Sequence, residues 1–122
     1  MKSFLITILI FLSFSVVAQS DEIVGTWNFE GIYHQELLKD KELKSMTTLY
    51  SDVTFYIKKG GNYISVAASK VEEGTWDLDA KNKILKLTAV NGKSHEIEVI
   101  ELKSDVLVVV FHKTSLILKK QK

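Results

Sequence analysis

KILKLTAVNGKSHEIEVIEL, residues 83 to 102, decides the fold class. In its first half, Leu85, Leu87 and Ala89 alternate with Lys86 and Thr88. Alternation with period two puts one set of side chains on a buried face and the other in water, as in a half-buried β-strand. Asn91-Gly92 follows, and both residues accept positive φ, so they suit the two-residue type I′ turn of a tight hairpin. The second half, Ser94 to Leu102, alternates again but changes phase. Ile97 and Val99 share one face, Ile100 and Leu102 the other. One extra residue near Val99, a β-bulge, reconciles the two sets.

The same pattern extends in both directions. Upstream, strands are expected at about Ile23 to Tyr33, Val53 to Lys58, Asn62 to Ala68 and Val71 to Asp79. Gly60-Gly61 and Ser69-Lys70 supply turns, and Ala80-Lys81-Asn82 a polar loop. The facing of the third strand stays open, because both of its alternating sets are small or apolar. Downstream, Val106 to Phe111 is nearly continuous apolar sequence, and Ser115 to Lys119 closes the series. The expected fold class is all-β: an antiparallel up-and-down meander of about eight strands. Sequential strands usually pair, and eight are enough to close a barrel around side chains or one small ligand. One connection is long. The polar stretch His34 to Met46 is either a short helix or a loop over one end of the barrel. Its Leu37, Leu38 and Leu43 are spaced to pack down as a lid.

Residues 1 to 18 read differently. Lys2 gives a positive start, Phe4 to Val17 is an uncharged apolar run, and Val16-Val17-Ala18 offers small residues for cleavage. These are the three regions of a secretory signal peptide, and the run is short for a spanning helix, which needs about 20 apolar residues. The expectation is a signal peptide over 1–18, a single domain over 19–122, and a periplasmic or extracellular location. Losing Lys2 balances the remaining basic residues against the 15 acidic ones. All 16 basic residues are Lys, so bidentate Arg readout of phosphate or guanine is excluded and no nucleic-acid partner is expected. The chain has no Cys. That removes thiolate catalysis, Cys-based metal sites and a lipid attachment point at the cleavage site, so no membrane anchor is expected.

Gly25-Thr26-Trp27 opens the first strand, and Gly74-Thr75-Trp76 lies on the fourth. A Gly-x-Trp just inside the first strand of an eight-stranded meander resembles the lipocalin signature. The stretch from about Ile23 to Lys119 looks like the short lipocalin-like domains of exported bacterial proteins. The resemblance implies a lipocalin-like β-barrel, a Trp27 that packs across its closed end, and binding of a small, usually apolar, molecule. Lipocalins place an Arg on that Trp from near the last strand. Here the stem of Lys113, Lys119 or Lys120 is the available substitute.

No catalytic apparatus is visible, so the protein is not expected to be an enzyme. No Ser sits in a nucleophile elbow, and Lys58 to Asn62 lacks the strand–loop–helix context of a phosphate loop. His34, His95 and His112 are expected at the surface. If the turn after Leu102 is Lys103-Ser104, His95 faces His112; if it is four residues long, His95 meets Thr114. Either way too few ligands gather for zinc, which takes three or four, and no metal or other cofactor is expected. Asp77 with Asp79, and Glu96 with Glu98, fall on the faces opposite the apolar residues and are expected in solvent. The expected interior is Trp27, Phe29, Val53, Phe55, Ile57, Trp76, Leu78, Leu85, Leu87, Leu107, Val109, Phe111, Leu116 and Leu118, with no charge among them. Such an interior packs solid or holds an apolar ligand. The ligand-binding set expected for a carrier is Phe29, Leu38, Leu43, Phe55, Leu85, Leu87 and Phe111. A protein partner docking on a solid barrel, through residues 34–46 with Tyr33 and Tyr50, is the competing reading.

Overall fold

The computed structural model describes residues 21–111 and 113–122. The expected signal peptide and His112 lie outside the described residues. Eight strands run in chain order: β1 (Gly25–Ile32), β2 (Thr54–Ile57), β3 (Asn62–Ala67), β4 (Lys70–Asp79), β5 (Ile84–Ala89), β6 (Ser94–Leu102), β7 (Val106–Phe111) and β8 (Thr114–Lys120). Each pairs antiparallel with the next, and β8 returns to β1, closing an up-and-down barrel. Closure leaves no edge strand to cap. The expected strand boundaries hold to within two residues. The largest difference is at the start of β1, where Ile23 ends a helical turn and the strand begins two residues later.

Register follows the hydrophobic pattern more closely than the turn chemistry. Across β5 and β6, Leu87 pairs with His95 and Leu85 with Ile97. A two-residue type I′ turn at Asn91-Gly92 would slip this pairing by one residue and turn Glu96 and Glu98 inward. The chain instead makes a turn in which Gly92 N–H donates to Ala89 O at 2.9 Å. Only Gly92 takes positive φ, at 93°. This is the longer loop with a glycine bulge, and it keeps Ile97 and Val99 in the core. The turn between β3 and β4 is also displaced from expectation. It sits at Ala68-Ser69, and Lys70 already belongs to β4. The expected bulge in β6 is present, as the β6–β7 register shifts between Val99 and Glu101. At the turn the pairing is Leu102 with Leu107, and beyond the bulge it is Glu98 with Val110. Neither register considered for His95 therefore continues to it. A second bulge, at Glu30 in β1, brings Ile32 inward after Phe29 and was not signalled by the sequence.

All fourteen residues expected inside either belong to the buried cluster or pack against it. The described core also includes Ile23, Ile32, Tyr50, Tyr63, Ile97 and Val99. Trp27, Ile57, Leu85, Leu107, Leu116 and Leu118 are at most 2% exposed, so the middle of the barrel is filled by side chains. Truncating a buried aromatic such as Trp27 costs about 3–5 kcal/mol. Gly74 shows how tightly β4 and β5 approach. A Cβ there would lie 1.9 Å from the Thr88 carbonyl oxygen, so no larger residue fits without moving backbone.

Candidate functional site: the barrel mouth

The two barrel ends differ. At the closed end, Trp27 is fully buried and its Nε1–H donates to Ile23 O at 2.8 Å. Lys120 lies over the indole with Nζ 4.9 Å from the ring centroid, and Nζ donates to Glu22 O at 2.7 Å. Lys120 thus takes the place available to an Arg. Its stem passes so close to Gly25 that a Cβ there would come within 3.0 Å of it, which gives the glycine of Gly25-Thr26-Trp27 a packing reason.

The other end carries the β1–β2 connection and the β3–β4, β5–β6 and β7–β8 turns. The long connection forms a 3₁₀ turn, Gln35–Leu37, and a helix, α1 (Asp40–Leu49). Leu38, Leu43 and Met46 pack against the core, while Leu37 is 79% exposed and takes no part in covering it. Tyr50, just past α1, is buried and meets Phe111 edge to face at 6.1 Å. Being buried, it cannot serve the docking surface expected for it. Asp52 then reaches across the rim. Its two carboxylate oxygens accept the N–H groups of Ala68 and Ser69 at 3.0 and 2.7 Å. Both of those residues are left-handed, with φ 51° and 65°.

Beside this lid lies a recess of about 190 Å³. Phe55, Leu87, Ile97 and Phe111 form its apolar part, and Ser65, Lys70, Glu72 and His95 its polar part. Phe55 and Phe111 meet edge to face at 6.0 Å. The inward face is therefore charged at this end, which corrects the expectation of an uncharged interior. Glu72 follows the inward alternation of Gly74, Trp76 and Leu78 on β4, and His95 that of Ile97 and Val99 on β6. Tyr63, 1% exposed on β3, donates its hydroxyl to Glu72 Oε1 at 2.7 Å. His95 Nε2 lies 2.9 Å from the same oxygen. Burial first, and then the Glu72 carboxylate, push the Tyr63 phenol above its ordinary pKa. His95 is 42% exposed, as expected of a surface histidine, and its Nε2 is engaged by this polar cluster.

Of the expected ligand-binding residues, Phe55, Leu87 and Phe111 line the recess. Leu85 is sealed in the packed middle, and Phe29, Leu38 and Leu43 pack against the core away from the recess lining. Ser65 lines the recess but forms no hydrogen bond with His95 among the described residues. No cluster of three or more metal-ligating side chains occurs among the described residues. A larger depression, about 290 Å³, lies at the closed end between Glu22, Leu78, Lys83 and Leu102. Its charged groups make no bonds to one another, whereas those of the mouth converge. The mouth is the better candidate on that ground.

Residues 23–109 match the family described as the lipocalin-like domain. The chain belongs to that family. Two solved structures share the lipocalin-like fold. A lipocalin-like protein from Bacteroides uniformis ATCC 8492 superposes with a TM-score of 0.55 at 13% identity, covering 82% of this chain and 99% of its own. A DUF4847 family protein from Bacteroides vulgatus ATCC 8482 gives a TM-score of 0.52 at 16% identity, covering 80% of this chain and 94% of its own. No curated protein matches the sequence.

Proposed function

We propose that this lipocalin-like protein is an exported binding protein for a small, largely apolar molecule, held at the mouth of the barrel. The observation that carries the reading is the mouth recess itself: apolar walls from Phe55, Leu87, Ile97 and Phe111 beside a few fixed polar groups. That combination is the usual anatomy of a small-molecule site. The filled middle of the barrel supports placing the ligand at this end. Export to the periplasm or beyond rests on the sequence of residues 1 to 18. The role proposed is binding.

The packed interior also favours a second reading, a protein–protein module on a solid barrel. Leu37 and Leu49, 79% and 55% exposed at the two ends of the lid, give a partner apolar contacts. An environment-sensitive apolar dye separates the two. The carrier reading expects its fluorescence to rise on binding, and Ser65→Phe, which fills the recess, to abolish the rise while the thermal midpoint stays within a few degrees. Absence of dye binding to the native protein, or binding indifferent to Ser65→Phe, refutes the mouth site. Loss of a co-purifying protein on changing Leu37 and Leu49 to Ser would then establish the second reading.

A further inference from the structure

The polar groups of the recess differ in what they leave open. Glu72 Oε1 takes both neighbouring donors, Tyr63 Oη at 2.7 Å and His95 Nε2 at 2.9 Å. Oε2 of the same carboxylate accepts no hydrogen bond among the described residues, on a side chain only 29% exposed. Glu72 is thus held in place through one oxygen and presents the other as a preorganised acceptor. Lys70, two residues earlier on β4, is exposed at the rim and forms no ion pair with Glu72. Two of the apolar wall residues, Phe55 and Phe111, are aromatic and meet edge to face. Aromatic faces carry negative potential and attract organic cations, more strongly where water is partly excluded. Of the charged groups lining the recess, Glu72 is the one held inside by two neighbours, whereas Lys70 stands exposed at the rim.

We propose that the recess takes a fragment-sized organic amine, with its ammonium group on Glu72 Oε2 and its apolar body against Phe55, Leu87, Ile97 and Phe111. This deepens the mouth-binding reading and rests on it. The size follows from the volume: about 190 Å³ is below the ~300–1,000 Å³ of sites that hold drug-sized ligands. Glu72 is then the specificity-determining residue, and Tyr63 a positioning residue that acts through it.

Three probes of one shape test the proposal: benzylamine, benzoate and benzyl alcohol. Each is titrated at neutral pH into ¹⁵N-labelled protein, expressed from the full chain and processed by its bacterial host, with amide shifts followed by NMR. Benzylamine is expected to bind at least about tenfold tighter than benzoate, since hydrogen bonds to charged groups are the stronger kind. Shifts should centre on Ser65, Glu72, His95 and Ile97. Glu72→Gln keeps the shape and removes the charge. It should cut benzylamine affinity by about tenfold or more while leaving benzyl alcohol within about twofold, which also controls for folding. Benzoate binding as tightly as benzylamine, or more so, overturns the amine assignment and leaves the mouth site standing. No shifts with any probe overturn both. A benzylamine preference that survives Glu72→Gln overturns the role given to that residue.

Discussion

At Tyr63 the phenol is 1% exposed and donates to a carboxylate, and both facts favour its neutral form. Its pKa in the folded protein therefore stands above the ordinary value of 10.0. The sign of the linkage follows. The stabilisation is complete below the unfolded value and is lost as pH rises through and beyond it. Tyr63→Phe should be less stable near neutrality by about 1 kcal/mol, the worth of one hydrogen bond. Its stability should also fall less steeply than wild type above pH ~10. Urea midpoints at several pH values from neutrality upward check this, and parallel curves for the two proteins would contradict it. The polar cluster around Tyr63 was only partly legible in the sequence. Counting back by twos from Trp76 reaches Glu72, and from Ile97 reaches His95, so their inward facing was implicit in the alternation. Tyr63 was not. On β3 the outward residues Ile64 and Val66 are more apolar than the inward Ser65 and Ala67. Hydrophobicity points the wrong way where a strand lines a polar mouth.

Among the elements, the β3–β4 hairpin is the one whose local sequence disagrees most with its geometry. Ala68 and Ser69 hold left-handed φ without glycine, which costs roughly 1–2 kcal/mol per residue. Asp52 offsets the cost by accepting both amides. Asp52→Ala should lower stability by about 1–2 kcal/mol. Ser69→Gly should raise it by up to about 1 kcal/mol, because the gain at positive φ exceeds the added freedom of the unfolded chain. Thermal midpoints of the two variants are the test, and equal or reversed shifts would show that the turn is not strained. Sequence alone placed this turn one residue late, since nothing local marks a long-range carboxylate 16 residues upstream of Ala68. Asn91-Gly92 misleads in the opposite sense. Its turn chemistry is the strongest in the chain, yet the inward set of β6 outweighs it and pushes the loop into a longer form. The bulge near Val99 was legible because the apolar residues themselves change phase there. The Glu30 bulge was not, because Gly31 leaves no side chain to report the shift.

Taken as a whole molecule, the barrel spends its interior in two ways. From Trp27 to Leu118 it is packed by side chains that are nearly all inaccessible. Toward the mouth, smaller inward residues and the Tyr63–Glu72–His95 cluster leave a shallow recess beside the α1 lid. The meander and its closure could be read from alternation and turns, because every strand but β3 and the all-apolar β7 separates its apolar and polar faces. Whether the interior was solid could not, because cavity volume depends on how large side chains interdigitate. The central claim is that a small molecule binds at the mouth while the middle stays closed. A crystal structure of the protein soaked with indole tests it most directly. The account predicts the ring at the mouth, against Phe55, Leu87 and Phe111, with Trp27, Leu85 and Leu118 unmoved. Indole lodged deeper, between Trp27 and Leu85, or absent from the mouth altogether, would contradict it.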